Sequence, residues 1–287
     1  MTLLVFGRGQ VGNALADATA ARHWPCVVLG HDEVDIADEA AVAAAVAKHR
    51  PSAVVNAAAY TAVDKAESEP EQAMLVNGLA PGHIAAAART ADAICLHIST
   101  DYVFDGRKGV PYVEDDPVAP LGVYGRSKLA GERAVHAAGG RWLVVRTAWV
   151  FAATGHNFVK TMLRLGAERD SLSVVDDQTG GPTPAAMFAE ALLDMLDHAR
   201  ADGFADWGIY HLAGEPPVTW FDFAKAIFAE AGLSVAVTPT DTASFGAPAP
   251  RPAYGVMDCG RAKRVFGLAG IDWREGLKPV VRSCLGS

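Results

Sequence analysis

The stretch L-L-V-F-G-R-G-Q-V-G, Leu3 to Gly12, decides the fold. Four apolar residues read as a buried strand, and Gly7, Gly9 and Gly12 then fit G-x-G-x-x-G at the first strand-to-helix turn. Glycine there lets backbone amides approach a pyrophosphate, while the start of the following helix adds partial positive charge. The pattern alone also describes a plain tight turn; its place between strand and helix favours dinucleotide binding. A carboxylate for the adenine ribose is expected about twenty residues on. The run G-H-D-E-V-D-I after Cys26–Leu29 offers His31 or Asp32 to the ribose and Asp35-Ile36 to the adenine, so NADH and NADPH both stay open.

Outward from this turn, Leu3–Phe6, Cys26–Leu29, Ala53–Asn56, Ile94–Ile98 and Trp142–Arg146 read as strands. Helices over Val11–Arg22, Glu39–His49, Pro70–Thr90 and Leu121–Ala138 alternate with them. Continuous apolar strands between helices predict an α/β fold, a doubly wound parallel sheet of Rossmann type covered on both faces. Ligands of such a sheet lie at the carboxyl ends of its strands. Residues 1–150 are expected to form the NAD(P)-binding domain and 151–287 mainly a smaller, interleaved substrate-binding cap. Strand segments near 172–175 and 208–213 are expected to return to the sheet. Thr219 reads as the cap of a helix beginning W-F-D-F, and P-T-D-T-A-S-F-G-A-P-A-P-R-P, from Pro239 on, as a proline-rich loop.

The 287 residues carry a formal charge of −8, and no Lys/Arg cluster supports nucleic-acid or membrane-surface binding. Cys26, Cys95, Cys259 and Cys284 are far apart and form no C-x-x-C, which points to reduced thiols in a cytoplasmic protein. The run at the amino terminus is too short for a signal-peptide core, and no later stretch approaches the ~20 apolar residues of a membrane span.

Chemistry enters at S-T-D-Y, Ser99 to Tyr102, where the strand from Ile94 ends at the ligand edge. Some two dozen residues later comes V-Y-G-R-S-K-L-A-G-E, with Tyr124 and Lys128 on one helical face. The spacing alone fits simple packing. A carbonyl reductase, however, needs an acid at the carbonyl oxygen to protonate the alkoxide left by hydride addition. A free tyrosine has a pKa of ~10, and a nearby ammonium is expected to bring it closer to working pH. Thr100 can hydrogen-bond the same oxygen.

The glycine turn, the strand-end Ser/Thr and Y-x-x-x-K, in this order, resemble the extended short-chain dehydrogenase/reductase superfamily. N-A-A-A-Y-T-A-V-D-K-A-E-S-E-P-E at 56–71, S-T-D-Y-V-F-D-G at 99–106, R-T-A-W-V-F at 146–151, D-Q-T-G-G-P-T at 177–183 and R-P-A-Y-G-V-M-D at 251–258 narrow the resemblance to its dTDP-4-dehydrorhamnose reductase family. The likeness spans nearly the whole chain. It implies NAD(P)H-dependent reduction of the 4-keto group of dTDP-4-dehydro-β-L-rhamnose, with Tyr124 as acid, Lys128 as its partner and ribose ligand, and Thr100 as third member. Gly9, Gln10 and Val11 would meet the pyrophosphate, Asp35 and Ile36 the adenosine, and Ala58, Ala59 and Thr61 the middle of the cofactor. Val63, Asp101, Tyr102 and Trp149 would line the deoxysugar pocket, with Asn157, Gln178 and Arg251 toward the nucleotide. The family turn usually reads G-x-x-G-Q-x-G; here the first two glycines stand one residue closer. No acidic cluster matches the magnesium site of some members, so no metal is expected, and a monomer or homodimer fits. Another nucleotide-sugar reductase or epimerase, or a non-catalytic subunit of the methionine adenosyltransferase type, are the competing readings.

Overall fold

The computed structural model describes residues 1–286. Strands β1 (Leu3–Phe6), β2 (Cys26–Leu29), β3 (Ala53–Asn56), β4 (Ile94–Thr100) and β5 (Trp142–Thr147) alternate with helices α1 (Gln10–Ala21), α2 (Glu39–His49), α3 (Ala80–Thr90) and α4 (Val123–Ala138). There follow α5 (Phe158–Glu168), β6 (Ser171–Val175), α6 (Ala185–Ala199), β7 (Gly208–His211), α7 (Trp220–Ala231), β8 (Ala236–Thr240) and α8 (Trp273–Leu285). Six strands form one sheet in the order β7-β5-β4-β3-β1-β2, all parallel.

Alternation along each strand feeds two cores. Leu3, Val5, Ala53, Val55, Leu143 and Val145 face α1 and α6, whereas Leu4, Phe6, Val54 and Val144 face α2, α3 and α4. Since both faces are covered, the strands are largely apolar, with buried polar residues at Asn56, His97, Ser99, Thr100, Arg146 and His211. The chain passes from β1 outward to β2 and then back to β3, so the sheet changes direction between β1 and β3. The crevice beyond their carboxyl ends is where doubly wound folds take ligands.

The segment at 208–211 joins the sheet beside β5. The expectation for 172–175 fails: β6 pairs with β8, over Ser171–Val175 and Ala236–Thr240, in a separate two-stranded sheet. The physical reason lies in its apolar face. Leu172 and Val174 pack with Met162, Leu163, Phe223, Ile227 and Trp273 in a third core built by α5, α7 and α8. Pro239 lies in the partner strand, which is an edge strand and tolerates a missing amide.

The turn after β1 is fixed by sterics at two of its glycines. Gly7 has φ of 108°, and a Cβ there would lie 2.5 Å from the Ala58 nitrogen. On Gly12 it would lie 1.8 Å from the Gly7 carbonyl oxygen, whereas on Gly9 it would meet no atom within 4 Å. Gly12→Ala is therefore expected to lower the melting temperature by several degrees, since forcing a methyl into packed backbone costs about 1–3 kcal/mol. Gly9→Ala should shift it by about a degree or two at most. Equal melting temperatures for the two variants in a thermal unfolding experiment would contradict this division of roles.

Candidate active site

Three consecutive residues at the end of β4 grip three turns of α4. The Lys128 ammonium donates to the Ile98 carbonyl at 2.6 Å, the Ser99 hydroxyl donates to Glu132 at 2.5 Å, and Thr100 shares a hydrogen bond with the Tyr124 phenol. Tyr124, Lys128 and Glu132 recur every four residues and so lie on one helical face. The start of α4 is fixed from outside, because Glu67 accepts the Val123 amide at 2.7 Å and occupies the place of a capping side chain. Gly125 lets the first turn approach the turn that follows β4, as a Cβ there would lie 2.2 Å from the Tyr102 carbonyl oxygen.

A π-turn at Leu75–Leu79 interrupts the long helix expected over 70–90. It presents Asn77, whose side chain accepts the Tyr60 amide at 2.8 Å and donates to the Tyr60 carbonyl at 3.0 Å and to Ser127 at 3.1 Å. One amide thus ties the loop carrying Ala58, Ala59 and Thr61 to α4. Asn56 supports the same loop from below, accepting the Ala58 amide at 3.2 Å and meeting the buried His97 ring at 3.0 Å.

Burial sets the protonation of Tyr124, Lys128 and Asp101. It pushes the Tyr124 phenol up to about 12, the Thr100 hydrogen bond opposing this and the Asp101 charge reinforcing it. Burial lowers the Lys128 ammonium to about 8, against the Glu132 carboxylate, which raises it. The expected depression of Tyr124 by Lys128 is therefore absent: desolvation dominates, and the ammonium is turned to the Ile98 carbonyl. Asp101 is 2% exposed, and burial raises it to about 7. Thr100 donates to Asp101 at 3.0 Å and so stands between the phenol and a carboxyl that titrates near neutrality.

The glycine turn fits a pyrophosphate. Gly9 precedes α1 with no capping side chain, the first turn holds no acidic residue, and the space over Gly9 is open. Gln10, one residue on, accepts from Asn157 at 2.8 Å, and Asn157 also caps α5, so the turn and the cap region share a side chain. Asp35 is exposed beyond β2, whereas the Ile36 side chain is buried in the core against α2 and α3.

Of the residues expected toward the sugar, Tyr102 packs edge-on against Tyr124 with centroids 5.3 Å apart. Val63 opens a short helix whose next residue, Asp64, binds Arg251 at 2.9 Å; Arg251 also hydrogen-bonds Tyr102. Trp149, at φ of 48°, stacks on Trp220 at 3.4 Å. Trp220 donates to Gln178 at 3.2 Å, and a Cβ on Gly180 would lie 2.6 Å from the Trp149 ring. Sequence reasoning missed Asp64, Trp220 and the pair of Glu132 with Arg146. Glu132 alone carried a signal, its four-residue spacing from Lys128.

A family model described as RmlD substrate binding domain matches residues 1–285. A dTDP-4-dehydrorhamnose reductase of Burkholderia thailandensis is 44% identical over 99% of this chain and 99% of its own. One of Streptomyces griseus is 45% identical over 96% of this chain and 91% of its own. Among solved structures, the Clostridium acetobutylicum dTDP-4-dehydrorhamnose reductase superposes with a TM-score of 0.92 at 36% identity, covering 98% of both chains. The Bacillus anthracis dTDP-4-dehydrorhamnose reductase in complex with NADP superposes at 0.91 with 35% identity, covering 98% of this chain and 99% of its own. This chain belongs to the dTDP-4-dehydrorhamnose reductase family, on a fold that brings its strand-end hydroxyl, tyrosine and lysine together where α4 docks on β4.

Proposed function

We propose that the protein reduces the 4-keto group of dTDP-4-dehydro-β-L-rhamnose to dTDP-L-rhamnose with NADPH or NADH. The convergence of Thr100, Tyr124 and Lys128 at the carboxyl end of β4, in a chain 44% identical over its length to a reductase of that name, carries this reading. When bound, the dinucleotide supplies the hydride. Gly9, Gln10 and Val11 hold its pyrophosphate, Ala58, Ala59 and Thr61 its middle, and Asp35 and Ile36 edge the adenosine. Lys128 holds the nicotinamide ribose. Free cysteines, Cys95 and Cys259 buried and Cys26 and Cys284 half-buried, fit a cytoplasmic setting.

Thr100 and Tyr124 hold the substrate carbonyl oxygen between two hydroxyl groups. A phenol that stays protonated far above neutrality suits an acid. Its proton still moves downhill, because an alkoxide is the conjugate base of an alcohol about as weakly acidic as water, a far weaker acid than the phenol. Asp101, Tyr102 and Val63 shape the deoxysugar pocket. Arg251, steadied by Asp64, offers its guanidinium to the diphosphate, and Trp149 offers a flat wall.

Tyr124→Phe is expected to lower kcat by about 10²–10⁴, the usual contribution of a positioned acid, while the NADPH dissociation constant changes little. Turnover like that of wild type would sink the mechanism. The substrate is tested with dTDP-4-keto-6-deoxy sugars prepared with and without 3,5-epimerisation: net NADPH oxidation only after epimerisation fixes it, and sugar conversion without net oxidation would mean an epimerase. The pH profile of kcat/KM should fall above about 8, where Lys128 loses its proton and with it the charge that holds the ribose. A profile flat to pH 10 would show that the Lys128 charge is not used.

A further inference from the structure

The catalytic set accounts for Tyr124 and Lys128 but not for the third residue on the same face of α4. Glu132 is 3% exposed, and its partner Arg146 is 2% exposed. Arg146 binds the carboxylate twice, at 2.9 Å through Nε and 2.7 Å through Nη2, and Ser99 donates to it at 2.5 Å. Each Arg146 nitrogen has a partner. Arg146 meets His211 Nε2 at 3.3 Å and lies 5.1 Å from the Phe104 ring centroid. Ser99, Arg146 and His211 are register neighbours across β4, β5 and β7, so a transverse row of the sheet holds one carboxylate in place.

We propose that Glu132 is a positioning residue that keeps the Lys128 ammonium charged and in register in the dry site, acting through Lys128 and touching neither substrate nor cofactor. The inference rests on the reading of Lys128 given above. Two observations support it besides the shared helical face. First, Lys128 is itself 2% exposed and has a neutral carbonyl as its hydrogen-bond acceptor, so no directly bonded anion offsets its desolvation. Second, the other groups around it do not help. On β4, burial and the Lys128 charge hold His97 neutral, and on β5 Arg146 is a further cation. Tyr124, one turn before, is a neutral phenol, and Asp101 beyond Thr100 is raised toward neutrality by burial. Glu132 is the carboxylate that favours the Lys128 charge.

A purely structural Glu132 would only neutralise Arg146, and a double variant separates the two roles. In Glu132→Gln/Arg146→Met both buried charges leave together, so no orphan guanidinium remains, but Lys128 loses its carboxylate. The test follows the Lys128 signal in ¹³Cε-lysine NMR, assigned by its absence in Lys128→Met, in wild type, Glu132→Gln and the double variant. This readout needs no turnover, so failure of the proposed reaction and failure of this inference are distinguishable. We expect the titration of Lys128 to fall by about one pH unit or more in both variants, the usual effect of losing an opposite charge nearby. The alkaline limb of kcat/KM should move down by the same interval, and Glu132→Asp, which keeps the charge, should restore most of both. Should Glu132→Gln fail to fold, the double variant decides alone. An unchanged Lys128 titration in a folded double variant would make Glu132 a counter-ion of Arg146 only. A shifted titration with an unmoved rate profile would uphold the effect of Glu132 on Lys128 and overturn instead the reading that the Lys128 charge serves turnover.

Discussion

The docking of α4 against the end of β4 is the constraint on which the rest of the site depends. Helix and strand meet through Ile98, Ser99 and Thr100, each bonded to a different turn of the same helical face. A strand rises about 3.3 Å per residue and a helix 5.4 Å per turn, so such a match holds in a single register. The ion pair of Glu132 and Arg146 secures it. Removing one partner of a buried pair costs about 3–5 kcal/mol, which makes any slip of α4 along the strand expensive. Tyr124 is therefore placed by groups remote from the reacting atoms.

The same burial that fixes the geometry sets the chemistry. Withdrawing water raises Tyr124 and lowers Lys128, and both shifts oppose the formation of charge in the site. A phenol proposed as a proton donor is not harmed by this, because it has to arrive protonated. A cation is harmed, which is why anions close to Lys128 matter and why a carboxylate one turn along the helix has consequences for a lysine it does not touch. His97 illustrates the limit case: at 1% exposure beside the Lys128 charge it is held neutral, and its Nε2 finds no partner.

The sheet was legible in the sequence because its strands are short apolar runs buried on both faces, and Leu3–Phe6, Cys26–Leu29 and Ala53–Asn56 fall where the pattern puts them. The segment Ser171–Val175 was misjudged for a physical reason: an alternating strand shows which face is apolar but not which core receives it, and here α5, α7 and α8 supply a core of their own. Its partner strand was hidden by Pro239, which reads as a loop signal and is tolerated only because that strand lies at an edge. The π-turn at Leu75–Leu79 was equally missed: Val76, Asn77 and Gly78 are weak helix formers, but weak propensity does not tell one inserted residue from an ordinary helical turn. Tyr124, Lys128 and Thr100 were visible as types at spacings. Asp64 and Trp220 were not, because they matter through partners at positions 251 and 149, distant in sequence.

Those long-range partners also explain why the cap region is not merely appended to the cofactor domain. Trp149 follows β5 directly, and its backbone adopts a left-handed φ of 48° that a bulky residue does not take without support. The support comes from the other side of the crevice. Trp220, anchored to Gln178, stacks flat on the ring, and Gly180 leaves room that a methyl group would close. Arg251 reaches back from the proline-rich loop to Asp64 on the cofactor side, and Asn157 reaches Gln10 at the glycine turn. Each bond crosses between the segments expected to hold cofactor and substrate, so cap and sheet set one another's positions. The glycine turn and the aromatic pair thus belong to one framework tied across the chain by Asn157 and Arg251.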